Sequence, residues 1–462
     1  MDFKIIFILF IFISITKMNW INYFSIKLVD ENQSPGTYIR PAISEKGYLY
    51  IVTGEDKYIN DKQNRFIVVY DLNTARFIKK ITYNSNYGFW RGEPYVVGDN
   101  SDYLFITTYE ENSDYYSEYY ASYEFFGINN NFLSQTKDNS IHGYRRGFKK
   151  VGAYYYLMYT DTKQNEDGWF LVIRKMSFAY KNNAPSFQNI KISSETKLTY
   201  QAMISCDSTK DNNYILCAYF SRDPKPPLVS VSAYNSNLDS LLTHNFEQVG
   251  YFEADNFIKI VYFKDNSNFI LMKSQQQTIT RLRYFKYSNN KIIDKLSTIT
   301  KNSFLDIYNT QFIGHNGDND IMVYDTDKIV KIHGHGESND IVITIIQFYN
   351  NDSSMSIKIY QMINDNGFIH NVQTRIAMLK NSFVFCTSAT KNGVHRGGYF
   401  MINFPNSTDI NLASNTILIN NLITLENKLF SINIKFKVLS IPNNFIFISK
   451  NKLNSIKVND EL

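Results

Sequence analysis

Tyr48-Leu49-Tyr50-Ile51 is a short apolar run opened by an aromatic residue, and 22 residues later Tyr70-Asp71-Leu72-Asn73 takes an aromatic into a polar turn. The first signal recurs as Tyr103-Leu104-Phe105-Ile106, Tyr154-Tyr155-Tyr156-Leu157, Tyr214-Ile215-Leu216-Cys217, Phe269-Ile270-Leu271-Met272, Ile321-Met322-Val323-Tyr324 and Phe383-Val384-Phe385-Cys386. Its starts lie 51 to 62 residues apart. The second recurs at Phe126-Gly127, Tyr180-Lys181, Tyr234-Asn235, Tyr287-Ser288, Tyr349-Asn350 and Phe404-Pro405, 53 to 62 residues apart. Two signals that keep step along a chain mark an internal repeat.

Inside each repeat, β-branched and aromatic residues fill strand-length runs bounded by Asn, Asp, Ser or Gly, without a 3.6-residue apolar period. In the first, Tyr38 to Ser44, Tyr48 to Thr53, Arg65 to Tyr70 and Arg76 to Tyr83 read as four consecutive strands. One such sheet cannot cover both of its faces, whereas copies stacked around an axis cover each other and leave only short edges. The repeat therefore predicts an all-β fold, a seven-bladed β-propeller over residues 20–415. Ile21 to Val29 is the candidate closing strand, expected to pair near Asp409 to Ile419.

Val68-Val69-Tyr70-Asp71-Leu72-Asn73-Thr74 resembles propeller blades in general. Neither the Gly-His and Trp-Asp pair of WD40 blades, nor the kelch double glycine, nor the sialidase Asp box recurs, so the subfamily is unassigned. After the last turn the text changes. Phe436 through Pro442 to Ile456-Lys457-Val458-Asn459-Asp460-Glu461-Leu462 resembles the cadherin-like repeats of the chondroitin-sulfate-proteoglycan type, with Asn443-Asn444 where that family has glycine. The resemblance implies an incomplete β-sandwich-like segment over residues 416–462, since a whole sandwich needs about 100 residues.

At the other end, Lys4 precedes an unbroken apolar run from Ile5 to Ile13, the pattern of a signal peptide or signal anchor within residues 1–19. It is shorter than the roughly 20 residues of a membrane span. The expected location is the secretory pathway, extracellular or at the cell surface, with membrane attachment only through this segment or a region beyond the sequence. Asn459-Asp460-Glu461-Leu462 also reads as a relative of the Lys-Asp-Glu-Leu retrieval signal, which keeps the endoplasmic-reticulum lumen as an alternative.

The chain has 44% apolar residues, 35 Tyr and 35 Phe against 20 Gly and 9 Pro, enough to build a core. A formal charge of +5 over 462 residues is modest, and no basic stripe of the kind that neutralises phosphates is present. Nucleic acid is therefore excluded as a partner. The densest basic-aromatic patch, Arg145-Arg146 and Lys149-Lys150 with Tyr144 and Phe148, reads as a solvated loop.

Three cysteines rule out a dense disulfide framework. Cys206 and Cys217 flank the turn Asp207 to Asn213 and form a candidate disulfide, with small buried core residues as the competing reading; Cys386 reads as buried. His333-Gly334-His335 with Glu337 and Asp340 reads as a Gly-rich turn, lacking a third ligand at metal spacing. Asp318-Asn319-Asp320 with Asp325 and Asp327 lacks the closing Glu of a calcium loop. No linear motif for nucleophilic, phosphate or dinucleotide chemistry is present, so no catalytic, cofactor-binding or metal residue is assigned and no cofactor is expected. Asn32, Asn351 and Asn406 open glycosylation sequons. The sequence reading favours a recognition or adhesion module for an unidentified protein or glycan. A hydrolase or lyase acting in the propeller channel is the alternative, because carboxylates from separate blades can converge there.

Overall fold

The computed structural model describes thirty-two strands between residues 21 and 403 and at 434–439, with some of the turns joining them. Residues 1–20, 404–433, 440–462 and many connections lie outside the described residues, and the signal segment falls there. β1 (Ile21–Ile26) stands apart from its sequence neighbours. β2 (Arg40–Ile43), β3 (Tyr48–Ile59), β4 (Lys62–Asp71) and β5 (Arg76–Ser85) form an antiparallel meander close to the four strands expected there. The next sheet is β6 (Glu93–Val97), β7 (Tyr103–Glu111), β8 (Tyr119–Gly127) and β9 (Phe132–His142).

A nine-stranded sheet follows. β10 (Arg145–Val151), β11 (Tyr154–Thr162), β12 (Trp169–Lys181) and β13 (Ala184–Ile192) make one meander within it. β15 (Ser205–Ser208), β16 (Tyr214–Ser221), β17 (Leu228–Asn235) and β18 (Ser240–Gln248) make another. β14 (Thr196–Leu198) bridges them, pairing Leu198 with Trp169 on one side and with Ser221 on the other.

β19 (Ile258–Tyr262), β20 (Asn268–Gln275), β21 (Ile279–Ser288) and β22 (Lys291–Asp294) form the next sheet, with β23 (Leu305–Tyr308) added on β21. β24 (Asp320–Val323), β25 (Lys328–Gly334), β26 (Ile341–Phe348) and β27 (Met355–Asn364) form another. In the last sheet β28 (Ile369–Asn371) and β29 (Ile376–Leu379) pair with β30 (Ser382–Lys391), which pairs with β31 (Val394–Asn403). β1 completes it: Ile21 lies opposite Ile402 and Ile26 opposite Gly397. Closure by the amino-terminal strand thus takes place on β31, while the expected partner, residues 409–419, lies outside the described residues.

The first strands of successive meanders touch: β2 with β6, β10 with β15, β15 with β19, β19 with β24, β24 with β29, and β29 with β2. Tyr95 and Phe148, ring centroids 4.8 Å apart, join β6 to β10. The circle closes, and the fold is a β-propeller.

Alternate side chains of a middle strand serve two seams. Ile215, Cys217 and Tyr219 of β16 pack with Tyr156, Met158 and Ile173, whereas Leu216, Ala218 and Phe220 pack with Ile258, Phe269 and Leu271. Burial on both faces explains why such strands read as unbroken apolar runs rather than as alternation.

Three expectations are corrected. A seven-bladed ring was expected. The described strands instead form five separate blades of four or five strands and one sheet of nine, because β14 carries backbone hydrogen bonding between two meanders. Ile321-Met322-Val323 belongs to β24, the first strand of its meander, with β25 as the strand equivalent to β3 and β20, while Tyr324 lies outside the described residues. The cadherin-like segment is not supported: β32 (Ile434–Leu439), the one described strand after β31, is a fifth strand on β27.

Candidate functional site

Two groups of polar side chains at the seams, and the loops at one end, are the features from which a site can be built. The first group joins inner strands. Asp207 of β15 pairs with Lys149 of β10 and accepts the Tyr262 backbone N–H of β19 at 2.7 Å. Ser205 Oγ accepts the Ile260 N–H at 3.1 Å. Side chains of β15 thereby bond the backbone of the neighbouring inner strand. Between them Cys206 lies opposite Cys217, their Cα atoms 4.1 Å apart, joined as a disulfide. Cys386 is on β30 opposite Tyr399, its side chain outside the described residues.

The second group lies further out. Arg281 and Arg283 alternate with Leu282 on β21, which puts both guanidinium groups on one face. Lys273 of β20 is directly opposite Arg281. All three meet Glu247 of β18: Arg281 and Arg283 each reach Oε2 at 2.8 Å, and Lys273 lies 3.4 Å from Oε1. Burial pushes the Glu247 carboxyl up, but Arg281, Lys273 and Arg283 outweigh it, so the net shift is downward. The Phe304 ring lies 4.0 Å from the Arg281 guanidinium, and the Phe246 ring 5.3 Å from that of Arg283. Burial and then Arg283 lower the pKa of His244, whose ring stands 4.7 Å from Phe246. A carboxylate held ionised in this way is no proton donor near neutral pH, and the group acts as a charged clamp between two meanders.

The two ends of the ring differ. Antiparallel order brings the turns 152–153, 236–239 and 289–290 to one end. At the other end β7, β11, β16 and β25 finish, and β8, β12, β17 and β26 begin. β14, β23 and β28 all pair at that same end. Glu247, Lys273 and Arg281 sit near it, close to the ends of their strands.

The basic-aromatic patch is corrected from loop to strand. It is β10, where Phe148 packs against Tyr95, Tyr155 and Phe187, and Lys149 pairs with Asp207. A strand period places Phe148 inward, which the density of charge around it concealed. His333 ends near the close of β25, and residues 335–340 with Glu337 and Asp340 lie outside the described residues. Asp320 opens β24, while Asp318, Asp325 and Asp327 lie outside them, as do Asn32, Asn351 and Asn406. Among the described residues no three His, Cys, Asp or Glu side chains group as metal ligands. Sequence reading missed the Glu247 clamp. Arg281-Leu282-Arg283 was its one visible trace, because Glu247 arrives from a different meander.

No family model matches the chain, and no curated protein matches it. Solved structures similar to it include the β-propeller domain of the Trilobed protease from Pyrococcus furiosus, at 10% identity and TM-score 0.44, covering 85% of this chain and 99% of that one. The polysaccharide lyase Uly1 is similar at 11% identity and TM-score 0.43, covering 80% and 90%. A putative 6-phosphogluconolactonase from Bacteroides uniformis is similar at 11% identity and TM-score 0.41, covering 71% and 89%. The propeller assignment rests on the strand pairing itself.

Proposed function

We propose that the chain is a non-catalytic recognition module of the secretory pathway, extracellular or at the cell surface, meeting a protein or glycan with the end of the ring where β14, β23 and β28 pair. The asymmetry of the two ends is the observation that supports this reading. The added strands β14, β23 and β28 all pair at one end of the ring, and none of the described strands is added in this way at the other. Loops displayed from a rigid scaffold are where binding residues concentrate. The Cys206–Cys217 disulfide is consistent with an oxidising compartment. We further read the nine-stranded sheet as two blades fused through β14, which makes the circle of first strands β2, β6, β10, β15, β19, β24 and β29 a ring of seven.

The hydrolase or lyase alternative would draw on Glu247 with Arg281 and Arg283, but those residues stand on β18 and β21 rather than on the inner strands. The test is to express the whole chain in a secreting eukaryotic host and probe the purified protein on glycan arrays and on intact cells. Binding without product release is expected, abolished by replacing residues 222–227 with a Gly-Ser linker and unaffected by the same change at 182–183. Turnover of a bound glycan, or loss of binding through 182–183 alone, would sink the reading.

A further inference from the structure

Lys175 is a buried cation that stands apart from the Glu247 clamp. It is on β12, directly opposite Tyr156 of β11, and only 8% of its surface is exposed. Its Nζ donates to the Ser236 carbonyl at 2.9 Å, in the turn between β17 and β18. The Tyr154 ring lies over it, 4.1 Å from nitrogen to centroid, and that ring is itself exposed on the surface. Asp239, the carboxylate of the same turn, is held by Lys191 at 2.9 Å. Among the described residues no carboxylate pairs with Lys175.

A covered ammonium with a carbonyl and a ring for company, and no counter-charge, is less stable than one in water. Burial and then the neighbouring Lys191 lower the Lys175 pKa below 10.5. Its neutral amine is thus more abundant at neutral pH than that of an ordinary lysine, by tenfold for each unit that the pKa falls. The Tyr156 hydroxyl donates to the same Ser236 carbonyl at 3.1 Å, which brings phenol and amine around one oxygen. Burial and then Tyr154 raise the Tyr156 pKa, so that phenol keeps its proton.

We propose that Lys175 is a reactive amine site that condenses with small aldehydes, with Tyr154 as its cover and Tyr156 as a proton donor to the departing oxygen. The nitrogen lone pair forms a bond to the carbonyl carbon, and a carbinolamine results. The carbonyl oxygen then leaves with the two amine hydrogens as one water, the phenol regaining its proton, and a C=N bond remains. No oxidant or reductant takes part. The cover is a single side chain at the short-turn end of the ring, so rotation of the Tyr154 ring admits a molecule of two or three heavy atoms, while larger carbonyl compounds are held off. This site is independent of the recognition face, which lies at the opposite end.

The test treats the whole, disulfide-intact chain briefly with acetaldehyde at pH 7.5. Sodium cyanoborohydride reduces any imine to a stable secondary amine, and peptide mass spectrometry then reads each lysine. Lys175 is expected to be modified at least about threefold faster than the exposed Lys150, Lys191 and Lys197, from its larger neutral fraction. Its lead over them should persist as pH falls from 9 to 7, with all the lysines slowing together. Tyr156→Phe should slow Lys175 alone, with thermal unfolding within a degree or so of the parent, and Lys175→Arg should remove the fast-reacting site. Equal or slower labelling of Lys175 at pH 7.5, or a rate unchanged by Tyr156→Phe in a folded variant, would overturn the proposal.

Discussion

Glu247 is a single carboxylate on which Lys273, Arg281 and Arg283 converge, and it is half of a seam between two meanders. Removing one member of a buried charged group leaves the others uncompensated, at a cost of about 3–5 kcal/mol. Glu247→Gln should therefore lower the stability by an amount in that range, read from the shift in a urea unfolding midpoint. The pH dependence has a definite sign. Because the folded pKa is below the ordinary carboxylate value, the stabilisation is fully present above that value and is lost as pH falls through the folded pKa. The parent should lose stability on acidification through the region below pH 4.5, and Glu247→Gln should lose less over the same interval. Only half of this was legible beforehand. The Arg-Leu-Arg alternation shows two cations on one face of a strand, but the choice of Glu247 as their partner depends on which sheet stacks on which.

At the scale of elements, turns and cross-links carry separable consequences. Asn289 and Asn290 connect β21 to β22 with φ of 49° and 54°, the left-handed pair that a two-residue hairpin requires. Asn tolerates that region and β-branched residues do not, so Asn289→Val should cost about 1–2 kcal/mol while Asn289→Gly should be near neutral. Thermal melts of the two variants side by side check this. The disulfide closes a span of 11 residues and holds β15, whose Asp207 and Ser205 bond to β19. Cys206→Ser with Cys217→Ser should cost about 2–4 kcal/mol. Hydrogen exchange should also show faster exchange at the Ile260 and Tyr262 amides, because β15 side chains accept both of those N–H groups. Aromatic anchors such as Tyr234 and Tyr287 located the third strands from sequence because they close long buried runs. Thr196-Lys197-Leu198 was invisible, since three residues are too few to show a period and only their pairing with Trp169 and Ser221 makes them a strand.

For the molecule as a whole, the ring is joined by β1 on β31, six residues against six, with Phe24 opposite Tyr399. Phe24→Pro removes a backbone donor and should lower the melting temperature, with loss of amide protection concentrated in β31. Protection unchanged in β31 would mean that the closure contributes little. A closing amino-terminal strand was expected, but with its partner at residues 409–419 and not on β31. The propeller itself could be read from the repeat. The sheet count could not, because fusion through β14 is decided by a one-residue backbone pairing and not by any periodic property of the sequence.

Ile21 must wait for Ile402. A ribosome adding about 5–20 residues per second takes on the order of tens of seconds to travel between them. Throughout that interval the earliest strand made has no lasting mate, and the growing arc keeps an open flank that foreign strands can occupy. Final assembly therefore waits for β31, and a nascent polypeptide stalled before it is a sticky intermediate rather than a smaller version of the finished ring.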